Sequence, residues 1–469
     1  MDEDYKELDF SIDLPKSSLI LKMEEKKKDN GDSERSKLSF DKFKETIEEI
    51  SNLNTNPLNL EYRRMMLTRI QLIGSSFPEI NEEILIYLEN SDFLEIVLYF
   101  IDNYELTKEV EDKDDDFGIL AASCIFVIYK CLMSSDQLST KIMNLGYFDI
   151  IEKAIYQVPL HLKIYLLECT NYMYKKEELN GEQIQGEKLL PVMKLCLISE
   201  DIELSITTAS LLSNMCRHFT KFSDECQELL FNLIAICFSR EDNSLLIFVG
   251  DALSRILHLI IGHPIRPIID MSLDFAWRAI QIENEDIQLY ALKCATELLL
   301  HKEIENIFRI ISIEDAASFL NSFTEILVNQ SIAFFFCLMD EYSDLIDDVI
   351  TSTVPSRILS LMEFAPCKVK DLAFRYFFCP IYRKPSLRLD SLINVQYLER
   401  FFEMIPNCHG TSVYIDCLET LIQYPMFIEI INQIDGVDTL EEVYDKIDGD
   451  EADRLNLLLD KIAELQKDD

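Results

Sequence analysis

The residue types that do chemistry are present, but their spacing does not assemble them. The chain has six histidines and 13 cysteines. His258 and His263 stand five apart, and Pro264 follows the second. A helix brings residues three or four apart onto one face, so this pair does not converge on a metal ion. Cys216 with His218, and Cys408 with His409, are too close along the chain to reach one ion comfortably. No Cys-x-x-Cys or His-Glu-x-x-His frame occurs. Gly-x-Ser-x-Gly, the phosphate loop Gly-x4-Gly-Lys-Ser/Thr and Gly-x-Gly-x-x-Gly are also missing from the sequence. The adjacent carboxylates Asp347 and Asp348, or Glu441 and Glu442, would point about 100° apart on a helix. Such pairs are solvated faces rather than an acid and base held across a cleft. The sequence therefore predicts no catalytic, metal or cofactor site, and a chain that is not an enzyme.

Without chemistry to position, the elements must serve binding. Gly numbers only 11 and Pro 13 while hydrophobic residues make up 48%; that combination favours helices with short connections over hairpins and phosphate loops. Asp and Glu outnumber Lys and Arg by 84 to 44, a formal charge of −40. Such a surface repels nucleic acid and anionic membranes and attracts cationic partners. The odd cysteine count and the placement of Cys124, Cys131, Cys237 and Cys294 in apolar text predict free, buried thiols in a reducing compartment. The opening Met1, Asp2, Glu3 and Asp4 carry the wrong charge for a secretory signal. No apolar run approaches the ~18 residues of a membrane span.

Residues 1–39 read as a flexible N-terminal arm, 40–465 as a repeat array and 466–469 as a charged tail. Polar interruptions at 102–116 and 175–187 read as loops. Small-plus-apolar helical segments end at Lys130, Asn171, Asn214, Arg255, Glu297, Leu338, Phe378 and Thr420. The steps are 41, 43, 41, 42, 41, 40 and 42 residues, within the ~40–47 of armadillo and HEAT repeats. One such unit cannot bury its apolar face alone, so units stack. The expected fold is all-α: a right-handed armadillo/HEAT-type helical solenoid of about nine to ten repeats. The run Phe334–Phe336 reads as core, with one ring free to face a groove. Arg375, Arg383, Lys384 and Arg388, around Pro380 and Pro385, read either as local balance for carboxylates or as a patch for an acidic segment.

Three stretches carry a resemblance to a known family: NLGYFDII at 144–151, ASLLSN at 209–214, and the closing run from Ile428 to Ile462, with a Gly followed by Asp, an apolar residue, an acidic pair and a closing helix. In this order and spacing the chain resembles the importin-alpha family of armadillo proteins. That resemblance implies an adaptor in nuclear protein import, found in cytoplasm and nucleus, that holds an extended basic segment of a partner along a concave acidic groove. In the family, Trp and Asn at i and i+4 of each third helix line the groove. Transferred position by position, the pairs here are Phe126 and Lys130, Leu167 and Asn171, Ser210 and Asn214, Asp251 and Arg255, Lys293 and Glu297, Phe334 and Leu338, and Phe374 and Phe378. No Trp occupies the ladder, Trp277 falls off it, and only Asn171 and Asn214 keep the amide. The resemblance also implies importin beta as a partner of the arm, through Lys26, Lys27 and Lys28. Asn171, Asn214, Phe334 and Phe374 are expected to point into the groove of a monomeric solenoid. The departure from the ladder leaves a second reading open, a general armadillo-repeat scaffold in signalling, cytoskeletal or degradation complexes without nuclear-signal recognition.

Overall fold

Local sequence signals start and stop a long series of short helices. Side chains of Asn81, Ser135, Asp201 and Asn284 each accept a hydrogen bond from the backbone N–H three residues on, capping the helix that follows. Ser312 and Asp315 form a reciprocal capping box. Gly146, at φ 82° between two helices, takes the left-handed conformation that a side chain resists.

In a computed structural model, residues 38–53, 60–78, 80–105, 119–175, 186–218, 224–240, 242–383, 389–407 and 411–466 are described. Among them every element is helical and none is a strand. The arm up to residue 37, with Lys26, Lys27 and Lys28, lies outside the described residues, as do 467–469 and most of both polar interruptions. No helix among the described residues is long and apolar enough to cross a membrane. The chain divides into two compact units between Leu259 and Ile260.

The unit before this division contains α1 (Phe40–Leu53), α2 (Leu60–Ser75), α3 (Glu82–Asn90), α4 (Phe93–Asp102), α5 (Ile119–Ser134) and α6 (Asp136–Asn144). It continues with α7 (Tyr147–Gln157), α8 (Leu160–Tyr174), α9 (Leu190–Ile198), α10 (Ile202–Cys216), α11 (Asp224–Ser239) and α12 (Asn243–Leu259). One row of long helices packs each on the next, α2 on α5, α5 on α8, α8 on α10 and α10 on α12. Beside it a second layer pairs α4 with α7 and α9 with α11. Gly74 of α2 lies so close to α5 that a Cβ would meet that of Ser123 at 2.6 Å, so glycine sets the approach of these two helices.

The second unit contains α13 (Arg266–Ala279), α14 (Glu285–Leu300), α15 (Ile304–Ile310), α16 (Ile313–Ser318), α17 (Glu325–Glu341), α18 (Ile346–Thr351) and α19 (Val354–Phe364). Next comes α20 (Cys367–Ala373), which runs through a π-helical turn at Phe374–Phe378 into α21 (Cys379–Arg383). The chain then forms α22 (Val395–Met404), α23 (Thr411–Leu421), α24 (Pro425–Gln433), α25 (Gly436–Tyr444) and α26 (Gly449–Leu465). The same plan recurs: α14 packs on α17, α17 on the π turn and α21, α21 on α23, and α23 on α26. Each unit is thus a helical repeat, all-α, with its core between the row helices and the outer layer. Burial pushes the Cys131 and Cys237 thiols up to about 12, which keeps them protonated and unreactive. Among the described cysteines Cys367 alone is exposed.

Candidate functional site

The row helices carry the sequence-predicted ladder, and the structure turns most of it inward. Asn171 Nδ2 donates to Ser210 Oγ at 3.0 Å, and Asn214 Nδ2 donates to Asn171 Oδ1 at 2.6 Å. Thr207 donates to Glu168 at 3.4 Å, Ser213 donates to Asp251, and Cys169 Sγ lies 3.7 Å from the Ile125 carbonyl. These partners stand 38 to 44 residues apart, so the sequence period reappears as bonds between neighbouring repeats. Asp251 also receives Arg255 Nε at 3.0 Å. In the second unit Gln330 donates to Thr296 at 3.0 Å, and Lys293 Nζ sits over the Tyr290 ring at 5.4 Å.

This placement corrects the expectation of an open ladder. Leu167, Asn171, Ser210, Asn214, Asp251, Lys293, Glu297, Phe334 and Phe374 are buried, as are Leu338 and Phe378. Asn171 and Asn214 use their amides on each other, and Phe334 and Phe374 are wholly enclosed. The physical reason is the neighbourhood. With Ser and Thr on the facing helices, both amide NH2 groups find acceptors inside, while Asn214 Oδ1 is buried with no hydrogen-bond partner. A phenyl ring at 334 or 374 gains more from burial than from facing water. Of the twelve groove residues named from sequence, Phe126, Lys130 and Arg255 remain half-buried.

Among the described residues a cleft opens on the row between α5 and α8, with a volume of about 80 Å³. Phe126 and Tyr129 of α5 and Tyr165 of α8 line it, with Ala122, Ile125 and Cys169 behind them and Glu168 at one side. Spacings of three residues put Phe126 with Tyr129, and Tyr165 with Glu168, on single helix faces. Tyr172, one more turn pair along α8, meets Tyr129 edge-on at 6.0 Å. Lys130 Nζ already lies 5.5 Å from the centre of the Phe126 ring. Burial, with Glu203 nearby, raises the Tyr165 phenol above its ordinary value; burial, with Asp136 nearby, does the same for Tyr172. Both phenols therefore stay neutral, and the only acidic group in the lining is Glu168. Sequence reading named Phe126 and Lys130 but missed Tyr129, Tyr165 and Glu168. Their signal was an aromatic stripe at helical spacing on two consecutive repeats.

The remaining sequence candidates do not assemble a site. Among the described residues no group of three or more His, Cys, Asp or Glu could hold a metal ion. His218 bonds through Nε2 to the Tyr174 carbonyl at 2.5 Å, a contact between repeats rather than a ligand pair with Cys216. Arg375 pairs with Asp371 at 2.8 Å and Arg383 with Asp416 at 3.1 Å, so these two arginines balance local carboxylates. Lys384, Arg388, Cys408 and His409 lie outside the described residues.

No protein-family model matches the sequence, and a search of curated proteins finds no match either. Solved structures do match. An engineered protein of known crystal structure superposes with a TM-score of 0.65 at 13% identity, over 89% of this chain and 99% of its own. Two further engineered proteins, 13% and 11% identical, cover 49% and 53% of this chain and 96% and 97% of theirs, with TM-scores of 0.41 and 0.43. At such identity the first likeness is one of fold alone, and the scores of the other two are too low to carry even that.

Proposed function

We propose that the chain is a protein-binding scaffold of armadillo/HEAT-type repeats, and that it receives a partner segment on the cleft between α5 and α8. The observation that carries this reading is a division of labour on the row helices. Leu167, Asn171, Asn214, Phe334 and Phe374 are buried in the stack, whereas Phe126, Tyr129 and Tyr165 are half-buried and line an opening. Aromatic faces beside a carboxylate suit a cationic side chain, and a chain of net charge −40 steers cationic segments toward it. The test compares the wild type with the double variant Phe126→Ala/Tyr165→Ala in affinity capture followed by cross-linking mass spectrometry. A stoichiometric partner cross-linked to Lys130, and lost from the double variant at unchanged melting temperature, is the expected result. Equal capture by both proteins, with every cross-link elsewhere, would move the site off this cleft.

A narrower reading keeps the importin-alpha-type adaptor, acting between cytoplasm and nucleus. Two of the motifs behind it fall at alike junctions, and this favours it. Gly146 at φ 82° precedes α7, and Asp435 at φ 54° precedes α25. Under this reading full-length protein binds importin beta and loses it when residues 1–39 are deleted. Failure of the full-length chain to bind importin beta would leave the general scaffold standing alone.

A further inference from the structure

We infer that the cleft between α5 and α8 is built for a trimethylated lysine on the partner segment; this rests on the scaffold reading and names what that site takes. Three aromatic residues from adjacent repeats, Phe126, Tyr129 and Tyr165, line one opening together with Ala122, Ile125, Glu168 and Cys169. The space, about 80 Å³, equals on the order of six water molecules, enough for one compact head group. Such a lining is rich in aromatic carbon, and its side-chain acceptors are the Glu168 carboxylate and two phenol oxygens.

That imbalance separates the candidate cations. An unmodified ammonium carries three N–H donors that each need an acceptor. Here it would find the Glu168 carboxylate, which already accepts from Thr207, and the phenol oxygens. Donors left facing ring carbon cost free energy. A trimethylammonium keeps the full positive charge yet presents only C–H to the walls, and its charge is drawn to the ring faces. Glu168, only 7% exposed, supplies the counter-charge without a direct bond. Lys130 Nζ already lies over the Phe126 ring, so an incoming cation must displace it to use that face. The occupant is a side chain of a partner protein rather than a free small cation, because the cleft lies on the row face where a cationic segment is drawn, and a lysyl stem reaches it from outside.

The test is an NMR titration of the full-length protein, up to millimolar ligand, with a neutral Gly/Ser peptide carrying one variable residue. That residue is trimethyl-lysine, lysine, or the neutral carbon isostere of trimethyl-lysine, and choline serves as the free-cation arm. The expected result is trimethyl-lysine binding about fivefold or more tighter than the other two peptides, the scale of one cation–ring contact. Phe126→Ala and Tyr165→Ala should each weaken it about fivefold, with Phe126→Leu replacing Phe126→Ala if that variant melts early. Equal binding of the neutral isostere would make the cleft an apolar slot and overturn the inference. Equal or tighter binding of lysine would make it an ordinary cation site. Choline binding as tight as that of the trimethyl-lysine peptide would assign the cleft to a free cation, and no binding at all would remove the site. None of these failures touches the scaffold reading, which stands or falls on captured partners and their cross-links.

Discussion

Two stretches of the molecule show different buried contacts between neighbouring helices. From α8 to α12 buried polar contacts join the repeats, running through Glu168 and Thr207, Asn171 with Ser210 and Asn214, and Ser213 with Asp251 and Arg255. From α17 to α24 rings meet across helices, on the row and in α22 and α24 beside it. Phe336 meets Tyr376 at 5.2 Å, Phe374 meets Phe401 at 5.0 Å, Tyr382 meets Phe401 at 5.1 Å, and Phe402 stacks on Phe427. One architecture therefore accepts either chemistry between its helices. The difference lies in what each tolerates. An aromatic contact loses mainly area when cut. A buried hydrogen bond, when cut on one side, strands its partner.

The largest effect should come from the aromatic region. Phe374→Ala removes a wholly buried ring and is expected to cost about 3–5 kcal/mol, read by chemical denaturation. A cost under about 1 kcal/mol would mean that the π turn re-packs freely. In the polar region Asn171→Ala or Asn214→Ala should each cost about 1–3 kcal/mol, because each strands the other's amide. The double variant should cost less than the sum, with a coupling of about 1 kcal/mol in a double-mutant cycle. Strict additivity would show that the two amides do not act as a pair.

A smaller effect depends on pH. Burial holds the His218 ring below its ordinary value of 6.5, so the folded state favours the neutral imidazole. The unfolded chain then binds the extra proton first as pH falls. Its contribution is full above about pH 6.5 and is lost as pH falls through the lower folded value. His218→Gln should flatten the stability profile between pH 7.5 and 5.5 relative to the wild type. A steeper profile in the variant would contradict the sign. The smallest effect belongs to the surface: Phe323→Ser, at a fully exposed ring, should change stability by no more than about 0.5 kcal/mol.

Much of this architecture is written in the spacing of the chain. Segments ending at Asn171, Asn214 and Arg255 recur at the interval that separates bonded partners in the structure. The junction at Gly146 was legible because only a residue without Cβ sits easily at φ 82°. The direction of the ladder was not. A rotation of one residue about a helix axis turns a side chain by about 100°, and one sequence holds no mark of that rotation when both faces of a row helix are apolar. The π turn at Phe374–Phe378 adds a further shift, since its wider winding re-phases everything after it. Tyr129, Tyr165 and Glu168 were passed over for a different reason. The ladder rule looks four residues apart for Trp and Asn, whereas these residues meet three apart and across two helices.

The most direct measurement sets two double variants side by side, each read for melting temperature and for partner capture. Phe126→Ala/Tyr165→Ala should keep the wild-type melting temperature within a few degrees and lose the captured partner. Asn171→Ala/Asn214→Ala should melt lower yet still capture the partner while folded. The reverse outcome, with partners lost through the two asparagines and retained without the two rings, would contradict the claim that the buried ladder builds the stack and the open aromatic cleft meets the partner.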